Sequence, residues 1–200
     1  MHIPTKRDHP NRTLLTHTLQ IKNYLPVFKQ IQKSEESKMF IILMGVSGCG
    51  KTTIGEKLAS ALHIPYYEGD TFHPTSNVEK MSNGIPLTDE DRKAWLTALA
   101  KLISAKIIKV EEGVLACSAL KEKYRDQLRV DPEKVQFVYL KGSYDLIFSR
   151  MKQRQGHYMP ADLLRSQFKD LQEPDDIFTV NIDQTPGEIL AEILSYLSTL

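Results

Sequence analysis

From residue 39 onward, short apolar runs alternate with longer stretches in which apolar residues recur every three or four positions. The first run, Met39-Phe-Ile-Ile-Leu-Met44, is unbroken, as expected of a strand buried on both faces. Similar runs predict strands at Ile64 to Asp70, Gly113 to Ser118, Val135 to Leu140 and Ile177 to Ile182. Between them, helical spacing places Ile54, Leu58, Ala61 and Leu62 on one inner face, and Trp95, Leu96, Leu99, Leu102 and Ile103 on a second. Residues 119–129 and a segment from about Ser143 predict two more helices. Leu164, Phe168 and Leu171 mark a further helix over residues 161–171, and Ile189, Leu190, Ile193, Leu194 and Leu197 mark the last. Thr88 with Asp91, and Thr185-Pro186 with Glu188, have the spacing of capping boxes at two helix starts. Residues 71–87 are rich in turn formers and predict a long polar segment outside the core. Strictly alternating strands and helices, joined by right-handed crossovers, predict an α/β fold: a three-layer α/β/α sandwich with a five-stranded parallel sheet.

The turn after the first strand changes this from a fold class to a chemistry. Gly45-Val-Ser-Gly-Cys-Gly-Lys-Thr52 has the P-loop spacing, in the strand-before, helix-after context that the motif requires. Glycines at 45, 48 and 50 admit backbone angles and close approach that a Cβ would block, so successive N–H groups can converge on phosphate oxygens. Lys51 adds a point charge, the Thr52 hydroxyl is a Mg²⁺ ligand candidate, and the following helix aims its positive end at the anion.

The second strand closes on Glu68 and Asp70, two residues apart and therefore expected on one face, at the sheet edge where α/β ligands bind. An acidic turn is the alternative. No Asp closes the third strand, so metal-binding help is expected from elsewhere than the usual position. Arg92 falls at the positive end of its helix, a position that an anionic ligand or an ion pair with Asp89 or Asp91 would relieve. Ser118, Lys121 and Arg125 lie where the third strand gives way to a helix, placed for a carboxylate or phosphate, or as a solvated basic face. Arg150 and Arg154 are one turn apart and run into Gln155-Gly-His157-Tyr-Met-Pro160, a Gly- and Pro-bracketed loop of the kind a lid needs.

Taken together, Gly69-Asp-Thr-Phe-His-Pro74, Asn77-Val-Glu-Lys-Met81, Gly84-Ile-Pro-Leu-Thr-Asp89, Trp95-Leu96, Cys117-Ser-Ala-Leu-Lys121, Tyr124-Arg-Asp126, His157-Tyr-Met-Pro160 and Ser166-Gln-Phe168 resemble the gluconokinase family of P-loop carbohydrate kinases over residues 39–200. The resemblance implies a nucleoside-monophosphate-kinase-like fold with a mobile lid and often a homodimer. It also implies ATP-dependent, Mg²⁺-assisted phosphorylation of D-gluconate to 6-phosphogluconate, within the pentose phosphate pathway. Chemistry and resemblance then suggest one assignment. Gly45, Val46, Ser47, Gly48, Cys49, Gly50, Lys51, Thr52 and Thr53 hold the nucleotide phosphates, with adenine near Arg150 and residues 183–186. Thr52 and Glu68 serve the metal. Lys51 and Arg154 neutralise transition-state charge, and Asp70 holds the acceptor hydroxyl. His73, Arg92, Ser118, Lys121, Arg125, His157 and Gln167 are the further gluconate candidates. Cys49 departs from the Ser of many members.

Composition narrows the alternatives. The 200 residues carry 41% hydrophobic and 26% charged side chains and a formal net charge of +1, which gives no global signature for nucleic acid or a membrane surface. Two cysteines do not make a disulfide framework, so a cytoplasmic setting is expected. Residues 1–38 differ: seven Lys and Arg against three acids make them basic, and they read as a flexible solvated extension. A related kinase acting on shikimate or another sugar acid would keep the phosphate loop. A nucleotide acceptor would call for arginines in residues 71–91, which contain none, and a GTP switch lacks its guanine-reading motif.

Overall fold

The computed structural model describes residues 38–153 and 161–200. The expectations for the N-terminal extension, for Arg154 and His157, and for the lid loop fall outside these residues. In chain order the elements are β1 (Phe40–Met44), α1 (Lys51–Leu62), β2 (Tyr66–Glu68), α2 (Thr75–Ser82), α3 (Asp89–Ile108), β3 (Gly113–Ala116), α4 (Glu122–Leu128), β4 (Val135–Lys141), α5 (Tyr144–Gln153), α6 (Ala161–Asp170), β5 (Phe178–Asn181) and α7 (Pro186–Leu197). All four strand pairings are parallel, in the order β2-β3-β1-β4-β5. The five-stranded parallel sheet expected from the alternating pattern is thus the one observed.

Alternate residues of β1 divide the core into two layers, because successive side chains of a strand point to opposite faces. Ile41 and Leu43 join Ile54 and Leu58 of α1, Ile147 of α5, Leu164 of α6 and Ile189, Ile193 and Leu194 of α7. Phe40, Ile42 and Met44 face the other way, against Trp95, Leu96, Leu99 and Ile103 of α3 and Tyr124 and Leu128 of α4. Every residue of β1 is buried, which is why its run is unbroken in sequence. Both capping boxes form: Asp91 N donates to Thr88 Oγ1 at 3.2 Å while Thr88 N donates to Asp91 Oδ2 at 2.8 Å, and Thr185 with Glu188 repeats the exchange.

The segment after β2 departs from expectation. Strand β2 ends at Glu68, and residues Gly69–Phe72 turn as a 3₁₀ helix, so Asp70 lies beyond the strand and does not share its face with Glu68. Packing forces this turn. A Cβ on Gly69 would stand 2.4 Å from the Ala116 carbonyl oxygen, so the chain presses directly on β3, and Trp95 Nε1 takes the Gly69 carbonyl at 2.7 Å. Within the stretch expected to be loop, Thr75–Ser82 forms α2. Its one buried side chain is polar: Asn77, 2% exposed, donates to the Asp91 carbonyl at 2.8 Å and so fastens α2 to the start of α3. Tertiary anchoring, with no apolar stripe, stabilises this helix, which is why periodicity does not reveal it.

Candidate active site

The sheet register brings the phosphate loop and the first carboxylate level with each other. Leu43 of β1 pairs with Ala116 of β3, and Ala116 pairs with Glu68 of β2, so one strand separates the mouth of the loop from Glu68. The loop opens at Gly45, whose N–H donates to the Ser118 carbonyl at 3.2 Å. Its turn depends on left-handed glycines. Gly48 has φ +82°, and a Cβ there would meet Met151 of α5 at 2.7 Å. Gly50, at φ +101°, stands directly before the first residue of α1, so the amide-rich start of that helix faces the loop. The Lys51 ammonium lies across the loop, donating to the carbonyls of Gly45 (3.0 Å) and Val46 (3.1 Å).

The Thr52 hydroxyl donates to Glu68 Oε2 at 2.8 Å, and Tyr66 donates to the same oxygen at 2.6 Å. The two residues expected to serve a metal are therefore in direct contact. Burial first, and then the hydrogen bond to Glu68, push the Tyr66 phenol well above its ordinary pKa, so it stays a donor to that carboxylate. Among the described residues there is no cluster of three or more His, Cys, Asp or Glu of the kind that cages a metal. One hydroxyl and one carboxylate suit Mg²⁺, which is commonly held by one or two protein oxygens together with waters and substrate phosphates. Cys117 directly follows β3, at the position where the sequence has no Asp. Burial raises its thiol to about 12, which keeps it neutral among Asp70, Glu68 and Lys51.

Asp70 is exposed, with no side-chain hydrogen bond or ion pair to another described residue. Three residues on, His73 stacks on Trp95 with ring centroids 4.3 Å apart and planes 15° apart. Burial lowers its pKa, with Asp70 opposing that shift and Arg92 adding to it.

The expected acceptor cations are gathered, but not as isolated charges. The Arg92 guanidinium donates to the Leu87 carbonyl at 2.6 Å and lies 3.6 Å from Asp170. Its acidic partner is thus on α6, not the neighbouring Asp89 or Asp91. Lys121 contacts Asp89 at 2.8 Å and Asp170 at 3.4 Å, while Lys123 and the Tyr124 hydroxyl also engage Asp89. These donors hold the Asp89 carboxyl far below the usual carboxylate range. Arg125 corrects an expectation. It is buried, and one guanidinium nitrogen donates to the carbonyls of Ala119, Leu120 and Gln172, so it ties the β3–α4 turn to the chain after α6 and acts as a structural strut. Ser118 contributes its carbonyl to the loop mouth and is half-buried.

Gln167 of α6 also stands elsewhere than expected: its Oε1 accepts from Ser47 N at 2.7 Å and its Nε2 donates to Ser47 Oγ at 3.0 Å, a two-point grip on the phosphate loop. Asp170, three residues later, meets the acceptor cations, so one helix touches both halves of the crevice. Sequence reasoning missed Asp170, Tyr66 and Asn77. The i, i+3 relation to Gln167 was the available signal for Asp170. Arg150 donates to the Ile182 carbonyl at 2.9 Å, which sets it beside residues 183–186.

A parallel sheet whose central strand opens into a glycine loop with Lys51 and Thr52, facing carboxylates at the end of β2 and a cationic cluster beyond, defines a P-loop small-molecule kinase. The family model described as shikimate kinase matches residues 47–198. The chain is 49% identical over 144 residues to the thermosensitive gluconokinase of Escherichia coli K12, covering 71% of this chain and 77% of that one. It is 43% identical to the thermoresistant gluconokinase of the same organism, covering 76% and 90%. Among solved structures it resembles a gluconokinase from Sinorhizobium meliloti 1021, with a TM-score of 0.75 and 42% identity over 80% of this chain and 92% of that one. The chain belongs to the gluconokinase family.

Proposed function

We infer that this chain transfers the γ-phosphoryl group of ATP to D-gluconate, giving 6-phospho-D-gluconate and ADP. The observation that carries this reading is the phosphate loop joined through Thr52 to Glu68, with the exposed carboxylate of Asp70 in the turn that follows, in a chain of the gluconokinase family. Residues 39–200 form the kinase unit in this reading.

Phosphoryl transfer asks for little covalent chemistry from the protein and much positioning and charge stabilisation. The amides of residues 45–53 surround the phosphates, and Lys51 leaves its carbonyl partners to meet the charge that develops between donor and acceptor. Mg²⁺ supplies charge neutralisation at the phosphates when bound, and Thr52 with Glu68 would hold it, directly or through water. Asp70 accepts the hydrogen bond of the acceptor hydroxyl and takes its proton as the oxygen attacks. His73, Arg92, Lys121 and Ser118 are the acceptor contacts in this scheme, the two cations serving the gluconate carboxylate. Asp170 already sits between those cations, so the acceptor's carboxylate either joins it or replaces it. Arg154 and His157 are proposed to act from the lid. Arg150 with residues 183–186 lines the adenine side. The enzyme is proposed to work in the cytoplasm as a homodimer; among the described residues no helix is long and apolar enough to cross a membrane.

The Lys51→Ala variant tests the site. Because the ammonium serves the loop and not the core, the variant should lose roughly 10²-fold or more in kcat. Its melting temperature should stay close to that of the parent. Near-normal turnover would remove the loop from the chemistry.

A further inference from the structure

Asn77 is a polar side chain with almost no exposure, and its position settles a question of hydrogen bookkeeping. One of its side-chain contacts is the Asp91 main-chain oxygen, 2.8 Å away. A carbonyl oxygen can only accept, so the group facing Asp91 is the Asn77 NH₂. The same nitrogen lies 3.3 Å from Nδ1 of His73. An amide NH₂ can only donate, so Nδ1 is the acceptor, and a neutral His73 must carry its proton on Nε2. The ring's plane is set independently by the stack on Trp95, itself pinned through Nε1 to the Gly69 carbonyl beside Asp70. Among the described residues, nothing accepts a hydrogen bond from His73 Nε2, although the side chain is only half-buried. Asp70 and Arg92 are the charged groups that act on the ring, and burial favours its neutral form.

We propose that Asn77 is a positioning residue that locks His73 as the Nε2–H tautomer, so that a neutral imidazole donates a hydrogen bond to an oxygen of the polyhydroxy-acid acceptor beside Asp70. The inference rests on the reading of His73 as an acceptor contact. It gives the acceptor pocket complementary partners: a carboxylate that accepts from the reacting hydroxyl and an imidazole N–H that donates to acceptor oxygen. The other tautomer would present a lone pair in the same place, which could only accept: it would repel a carboxylate oxygen and would force a hydroxyl there to reverse its hydrogen bond.

The test begins with the full-length parent, labelled with ¹⁵N at histidine and examined by long-range ¹H–¹⁵N NMR at pH 8, with His73→Gln used to assign the ring. A protonated Nε2 with an unprotonated Nδ1 is expected. An Nδ1–H ring, or rapid exchange between both forms, would overturn the lock without need of any variant at the buried position. Kinetics supply the second arm. Asn77→Asp replaces the donor with an acceptor, and should move the His73 proton to Nδ1 and raise the KM for gluconate roughly three- to tenfold, the worth of one neutral hydrogen bond, with the KM for ATP unchanged. An unchanged gluconate KM in a folded Asn77→Asp enzyme whose tautomer has switched would overturn the proposal. Should His73→Gln and His73→Ala both keep the parental gluconate KM, the reading of His73 as a contact fails, whatever the tautomer is found to be.

Discussion

At the scale of single residues, the carboxylate that ends β2 and the one in the turn after it have different surroundings and should have different roles. Glu68 accepts from Thr52 and Tyr66 on one oxygen, which suits a fixed group that orients metal or metal-bound water. Asp70 extends from the 3₁₀ turn with no described side-chain partner and can receive a proton. Asp70→Asn keeps the shape and removes the basicity, and should lower kcat with gluconate by roughly 10²- to 10⁴-fold while ATP affinity changes little. Glu68→Gln should be milder and should show a raised Mg²⁺ requirement in the same assay. A fully active Asp70→Asn enzyme would return that residue to a simple acidic turn. Arg125 shows the opposite outcome for a sequence candidate. Its three carbonyl partners make it a strut, so Arg125→Met should lower stability by about 2 kcal/mol, or ~4–8 °C in melting temperature, with gluconate KM unchanged. Nothing in the sequence separates Arg125 from Arg92: both sit near helix starts at the crevice, and only the fold shows which guanidinium turns inward.

At the scale of elements, α3 carries a cap whose chemistry can be followed with pH. Lys80 first, and then the bonds from Thr88, lower the Asp91 carboxyl from its ordinary 3.8 to about 2. A depressed carboxylate contributes stability in full above its unfolded pKa and loses it as pH falls through the folded one. The helix cap should therefore support the fold undiminished above about pH 4 and fail towards pH 2. Melting curves recorded over that window should fall less steeply for Asp91→Asn than for the parent, whose stability at neutral pH should be the higher. Equal slopes would show that the cap bears no net stability. This box was legible from Thr88 and Asp91 alone, since capping is a local exchange between residues three apart. Helix α2 was not legible, because Asn77 holds it through a contact with Asp91 fourteen positions away. The same limit applies to α6: Gln167 and Asp170 were visible as polar residues, yet their partners Ser47, Arg92 and Lys121 are set by tertiary structure.

At the scale of the molecule, periodicity sufficed for the sheet and the helices on both of its faces, since each β1 residue is committed to one of two apolar layers. The phosphate loop was equally plain because its function requires consecutive residues. The acceptor half was harder, being assembled from α2, α3, α4 and α6, and its outline came from resemblance to the family. The central claim is that this crevice phosphorylates gluconate, and product formation tests it most directly. Purified full-length chain, given ATP and Mg²⁺ with gluconate, other aldonates, shikimate or nucleoside monophosphates in parallel, should form 6-phosphogluconate with the highest kcat/KM of the panel, and Lys51→Ala should abolish most of it. A higher kcat/KM with shikimate or a nucleotide, or phosphorylation of gluconate that survives in Lys51→Ala, would contradict the account.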